Sequence, residues 1–246
     1  MALQQVRRRY VGTVGGIGWS LLQPLLLIAT YWLVFSVGFR VKIGDGSVNY
    51  TVYFMTGMAA WFLISEAVGA SVLAISGNAH LIKKMVFPIE VLPVSPIISS
   101  AIVHCGLLVM VLALILFEQH YLPWTALQLP YYTLCALALS LGLAWLTSAL
   151  QVFFRDVQKL VEVALGIWFW ITPIVWSREM LGQWHWLLDL NPAYYIVQGY
   201  RDSLIYGIPF WSHPLLGLAF WIVCIALFLS GAWVFDRLKS DFAEVL

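Results

Sequence analysis

Six stretches of the chain are apolar over most of their length, and short polar stretches separate them: about Ile17–Gly38, Tyr50–Ser76, Val94–Phe117, Pro130–Phe154, Val157–Trp176 and Pro214–Phe235. A helix that crosses a hydrocarbon core needs roughly 20 predominantly apolar residues, so the pattern predicts six membrane-spanning helices. Two places break it. Between spans two and three lies Asn78-Ala-His-Leu-Ile-Lys-Lys-Met-Val-Phe-Pro-Ile-Glu-Val-Leu-Pro93. Asn78 is a candidate N-cap, Lys83 and Lys84 suit the negative end of a helix dipole, and Pro88 disfavours helix at Phe87. About nine helical residues after the cap give a rod of roughly 13 Å at 1.5 Å per residue, too short to cross a bilayer. Leu81, Ile82, Met85 and Val86 form its apolar side, and His80, Lys83, Lys84 and Phe87 a cationic and aromatic side. The spacing fits a short helix lying across a membrane face. It fits equally a basic loop that only fixes topology.

The second break is 177–211. Two moderately apolar pieces, Met180–Leu190 and Ala193–Tyr206, flank Asn191-Pro192 and carry Asp189, Arg201 and Asp202. Each is too short to span, which predicts a helical hairpin that dips into the outer leaflet and returns, buried against protein. At the N-terminus, Leu3, Val6, Tyr10 and Val14 recur at helical spacing with Gln5, Arg8, Arg9 and Gly12 on another side. An interfacial helix over 1–14 is expected, with a frayed basic end as the alternative. The tail Asp236–Leu246 reads as polar and exposed.

Composition agrees with the pattern. The chain is 62% hydrophobic and 10% charged, with mean hydropathy +0.88, where a soluble domain carries about 25% charged residues. It is expected to be an all-α integral membrane protein, a single domain over 1–246. Arg7-Arg8-Arg9 precedes a full-length span, so no cleavable signal peptide is expected. Net charge is +1, which gives no case for nucleic acid. Cys105, Cys135 and Cys224 lie in apolar runs without C-x-x-C spacing and read as core residues. Asn49-Tyr-Thr51 matches a glycosylation sequon, a pattern common by chance. If both termini are cytoplasmic, the inner segments hold Arg7, Arg8, Arg9, Lys83, Lys84, Arg155, Lys159, Arg237 and Lys239. The outer segments hold Arg40, Lys42, Arg178 and Arg201, so nine of the 13 basic residues lie inside and four outside, as the positive-inside rule favours. A hairpin that spanned fully would place Arg237 and Lys239 outside.

Chemistry narrows the choice further. Gly12–Gly18 lacks the Lys-Ser/Thr of a phosphate loop, and no metalloprotease, paired-aspartate or nucleophile-elbow motif is present. The five histidines, His104 and His185 among them, are scattered and read as packed residues. Arg155 and Asp156, with Lys159 beyond, mark a tight turn at the inner face. Glu66 lies inside span two, where an acid either lines a path or makes an interhelical hydrogen bond. Pro24, Ile28, Tyr31 and Phe35 share one face of span one, and span five ends in Trp168-Phe-Trp-Ile-Thr-Pro-Ile-Val-Trp176, an aromatic run broken by Pro173. Catalysis within this chain is not expected; transport or scaffolding remains.

Four motifs in order then resemble a known family: Arg9-Tyr-Val-Gly-Thr-Val-Gly-Gly-Ile-Gly-Trp-Ser-Leu-Leu-Gln-Pro24, Lys84-Met-Val-Phe-Pro-Ile-Glu-Val-Leu-Pro93, Phe154-Arg-Asp-Val157 and Asn191-Pro-Ala-Tyr-Tyr195. Over nearly its whole length the chain is similar to the transmembrane permease subunit of ATP-binding-cassette polysaccharide exporters, the group that serves O-antigen, teichoic acid and capsule. It departs from them at Gly16-Ile-Gly18, where bulkier residues are common. The resemblance implies a homodimer bound to two cytoplasmic ABC ATPase subunits, with ATP and Mg in those partners and no cofactor here. It implies a multi-pass protein of the bacterial cytoplasmic (inner) membrane that moves an undecaprenyl-linked glycan. Asn78, His80, Leu81, Lys83, Lys84, Phe87, Pro88 and Glu90 would then be the coupling contact with the ATPase, and the N-terminal helix a second contact. Spans one and five would line the channel. Tyr31, Trp32, Phe35, Trp168, Phe169 and Trp170 are its candidate aromatics, since flat apolar rings stack on sugars. Asn191, Pro192, Tyr194, Tyr195 and Arg201 would belong to an outer gate. The alternatives are an exporter of drugs or small lipids and an intramembrane lipid-linked transferase. Such a transferase needs acids clustered at the membrane face to hold a metal–diphosphate, whereas Glu66, Glu90, Asp156 and Glu162 are dispersed. A secondary transporter lacks the expected internal repeat.

Overall fold

A computed structural model of the chain describes residues 19–44, 46, 48–84 and 88–246. The expected interfacial helix over 1–14 lies outside the described residues, as do Phe87 and the side chains of Leu81, Lys83 and Lys84. Among the described residues the regular secondary structure is helical apart from one antiparallel bridge, Ile43 to Val48. Helix α1 is Trp19–Trp32 and continues as a wider π-helical turn, Leu33–Gly38. It is followed by α2 Tyr50–Val72, α3 Ala79–Lys84, α4 Val94–Gln119 and α5 Leu129–Phe153. Then come α6 Val157–Ile171, α7 Pro192–Arg201, α8 Pro214–Leu238 and α9 Phe242–Val245.

Local chemistry sets these bounds. Asn49 caps α2 by accepting the Thr51 N–H at 2.8 Å, and its amide donates to Glu118 at 3.1 Å, so the sequon asparagine is a helix cap. Pro130, Pro192 and Pro214 sit in the first turns of α5, α7 and α8, where a missing N–H costs nothing. α4 closes at His120, in the left-handed conformation with φ 60°.

Among the described residues, four segments are long and apolar enough to cross a membrane: Tyr50–Val72, Ile89–Gln119, Trp124–Phe153 and Pro214–Val245. They correspond to predicted spans two, three, four and six. Span five is shorter than predicted. α6 stops at Ile171 after 15 residues, and Thr172 is extended with ψ 130°, because Pro173 offers no N–H and excludes helical backbone before it. Span one, where described, contains the shorter apolar helix Pro24–Gly38.

The central post is α2, buried along most of its length and packed against α4, α5, α6 and α7. α5 and α8 form the most extensive pair. They cross where Gly142 meets Gly231: a methyl at Gly142 would lie 2.8 Å from the Phe228 backbone, and one at Gly231 would collide with the Gly142 carbonyl. α4 and α8 turn apolar stripes outward; on α8 the stripe is Leu215, Leu218, Ile222, Ile225 and Leu229. Cys135 and Cys224 are buried, but Cys105 is on the exposed side of α4 and is not a core residue.

The loops gather at two ends. One holds α3, the α5–α6 turn and the C-terminal segment; the other holds 39–50, the 120–128 turn and the 172–213 hairpin. The tail corrects an expectation. Asp236–Leu246 is mostly exposed, but not throughout: α8 runs on to Leu238, and α9 folds back with Phe242 fully buried beside Phe153 and Phe235. Leu238, Phe242 and Leu246 recur every four residues and give this stretch an apolar side among its charges.

Candidate functional site

At the α3 end, α3 follows directly on a 3-10 turn, Ser76–Asn78. Asn78 therefore does not cap α3. Its amide donates back to the Ala74 carbonyl at 2.8 Å and closes the turn before it. His80 is exposed, while Ile82 packs inward. Pro88 is exposed and extended, and starts the short turn Ile89–Val91. Glu90 is engaged within the chain: its carboxylate lies 3.2 Å from Lys239 Nζ, and its carbonyl accepts the Trp145 indole N–H at 3.2 Å. Arg155 and Asp156 are exposed on the α5–α6 turn. Gln151 holds that turn by donating to the Arg155 carbonyl at 3.2 Å and accepting the Gln158 N–H at 2.7 Å.

The six predicted aromatics divide into two groups. Tyr31 of α1 meets Phe169 and Trp170 of α6, with ring centroids 5.6 Å and 6.4 Å away, and Phe35 lies against Tyr31 at 6.4 Å. Trp61 of α2 joins from behind, 5.8 Å from Phe169. Trp32 and Trp168 are tied elsewhere by their indole N–H groups, Trp32 to Thr51 Oγ1 and Trp168 to Asn191 Oδ1, both at 2.7 Å. Phe169 is 7% exposed and Trp170 51%. With Leu160, Val163 and Ile167, Trp170 continues an exposed apolar stripe along α6.

At the hairpin end the chain runs without helix from Thr172 to Ser177, yet most of this stretch is buried. Backbone carbonyls freed by a helix break in apolar surroundings must find donors. Four consecutive ones do. Arg201 Nη1 donates to Pro173 O at 2.7 Å and Nη2 to Ile174 O at 3.0 Å. Tyr50 donates to Val175 O at 3.1 Å and Tyr53 to Trp176 O at 3.0 Å. Arg201 also donates through Nε to Tyr53 O, its guanidinium carbon lies 3.4 Å from the Tyr53 ring centroid, and the side chain is fully buried. Gly57 makes room: a methyl there would come within 2.6 Å of a guanidinium nitrogen.

The remaining hairpin candidates also make internal bonds. Asn191 accepts the Ala193 N–H at 3.1 Å, capping α7, and donates to Thr172 Oγ1 at 3.0 Å; Pro192 opens the helix. Tyr194 OH accepts from Arg178, which pairs with Asp189 at 3.2 Å. Tyr195 OH lies 2.9 Å from Tyr131 OH, and Tyr200 OH 2.8 Å from His104 Nε2. The first arm, Arg178–Leu190, is mostly exposed, with Trp184 and Trp186 outward. There the Ser177 hydroxyl, with the backbone, holds the Glu179 carboxyl below the usual carboxylate range.

Over residues 1–205 the chain matches the family described as ABC-2 type transporter. It belongs to that family. It is 28% identical over 247 residues to an O-antigen export system permease protein of Klebsiella pneumoniae, covering 99% of this chain and 92% of the relative. A permease protein of the same description from Myxococcus xanthus is 28% identical over 245 residues, covering 98% and 92%. The polysialic acid transport protein of Escherichia coli is 21% identical over 207 residues, covering 83% and 80%.

In this ABC-2 transporter, sequence reasoning passed over Tyr50, Tyr53, Gly57, Gln151 and Phe242. Only Phe242 left a local signal, its four-residue spacing from Leu238 and Leu246. The others act on partners far away in sequence or, for Gln151, on the backbone of a turn.

Proposed function

We propose that this ABC-2 transporter is the permease subunit of an ATP-driven exporter that moves a lipid-linked polysaccharide of the O-antigen kind across the bacterial cytoplasmic membrane. The near end-to-end likeness to O-antigen export permeases carries the reading. Two copies of the chain enclose the path, and two cytoplasmic ABC ATPases bind ATP and Mg. The α3 end faces the cytoplasm, which the excess of basic residues there supports. α1 and α6 complete six crossing segments, and the hairpin over 177–211 re-enters from the outer side. α3 is the docking site for the ATPase, where ATP-driven movement enters. The aromatic patch of Tyr31, Phe35, Phe169 and Trp170 suits a passing saccharide, whose apolar ring faces stack on aromatic side chains.

Removing the chain from a cell that makes the glycan tests this. The undecaprenyl-linked polymer is expected to accumulate on the cytoplasmic side, and the ATPase to co-purify with the restored chain. Normal surface glycan without the chain would redirect the reading to an exporter of drugs or small lipids. Charge reversal at Lys83 and Lys84 is expected to leave ATP hydrolysis running while export falls; export at the ordinary level in that variant would remove α3 from coupling.

A further inference from the structure

The α3 end is built around a plug from the C-terminus. Phe242 is fully buried, its ring 5.6 Å from Phe235 of α8 and 6.1 Å from Phe153 of α5. Ile75 just after α2 and Ala149 and Val152 of α5 complete the buried cluster, and Ile82 and Ile89 pack on it. Ile82 belongs to α3 and Ile89 to the short turn Ile89–Val91 that comes after it in the chain, so residues on both sides of 85–87 rest on the plug. A charge joins the same parts. Lys239 lies 3.2 Å from Glu90, just after α3, and 2.7 Å from Asp236 in the last turns of α8. Trp145 of α5 donates to the Glu90 carbonyl. A four-residue helix such as α9 has no stability of its own, so these contacts are what hold it.

A force applied to an unsupported loop bends the loop. Applied to a loop backed by a close-packed cluster, it moves whatever lies behind. We infer that Phe242 and Lys239 are positioning residues for energy coupling: the C-terminal segment clamps the α3 loop to the ends of α5 and α8, so that displacement of α3 reaches those helices. This rests on the reading of α3 as the ATPase docking site.

The test uses the chain in complex with its ATPase, reconstituted in membranes, and reads glycan exported per ATP hydrolysed beside ATPase co-purification and the amount of folded chain. Lys239→Glu places a third carboxylate beside Glu90 and Asp236. It is expected to leave docking and hydrolysis unchanged and to lower export per ATP between about fivefold and a hundredfold, the usual span of a coupling between two sites. The exchange Glu90→Lys with Lys239→Glu is expected to recover most of it. Phe242→Ala is expected to lower the same ratio and Phe242→Leu to keep it. Unchanged export per ATP in both Lys239→Glu and Phe242→Ala overturns the proposal. So does export that falls only in proportion to folded chain, which would make the segment structural alone. An ATPase that fails to co-purify with the unsubstituted chain removes the docking reading itself, before any variant is made.

Discussion

Arg201 holds a guanidinium in the protein interior, where an ion is stable only if its hydrogen-bonding capacity is met. It is met by two carbonyls of the non-helical stretch after α6, by the Tyr53 carbonyl of α2 and by the face of the Tyr53 ring. Arg201→Met leaves the Pro173 and Ile174 carbonyls without these donors, at roughly 1–3 kcal/mol each, whereas Tyr53→Phe frees only that of Trp176. Thermal unfolding of the purified chain should rank the unsubstituted protein first, Tyr53→Phe next and Arg201→Met last. Arg201→Lys should recover little, because an ammonium cannot serve two carbonyls in fork geometry. Equal unfolding temperatures for Arg201→Met and the unsubstituted chain would contradict this account. Only part of this was legible in the sequence. The helix start at Asn191-Pro192 could be read, since a cap followed by proline is a local signal. The place of Arg201 in an outer gate was implied only by the resemblance to exporter permeases. Its backbone partners at 53, 173 and 174 share no local pattern with it, so spacing could not reveal the brace.

Element lengths follow the same logic. The apolar runs located four long helices within a few residues of their observed ends, because in an apolar solvent the hydrocarbon thickness and the proline positions decide both. Span five was predicted too long because its apolar character continues past Pro173 while its hydrogen bonding does not. Pairing between helices was not legible. The crossing of α5 and α8 depends on two glycines 89 positions apart, and each alone reads as an ordinary glycine in a span. Small residues let membrane helices approach until their backbones touch. Gly142→Val and Gly231→Val should each force the pair apart, at about 1–3 kcal/mol or more. The expected result is less chain in the membrane and faster proteolysis of α8. Full accumulation of either variant would mean that the contact is dispensable.

On the scale of the molecule, the aromatic side chains separate by task. Trp168 ties α6 to Asn191 and leans edge-on against Trp61 at 5.9 Å, whereas Trp170 is half outside. Trp168→Ala should lower both thermal stability and export. Trp170→Ala should leave stability within about 0.5 kcal/mol, as exposed substitutions do, and lower glycan export. Export unchanged by Trp170→Ala would take the aromatic patch out of the transport path. That aromatic residues crowd spans one and five was legible in the sequence, because aromatic density is visible locally. Which indole turns toward a neighbour and which away is set by tertiary packing.

The contact of Gly142 with Gly231 has a practical consequence. Two backbones in van der Waals contact leave no free volume for sliding, so α5 and α8 form an internal ruler. Spin labels at Leu134 and Leu218, both on exposed faces of that pair, should report one unchanging distance through a transport cycle. Distances from either label to α6 can then be scored as movement against a fixed baseline.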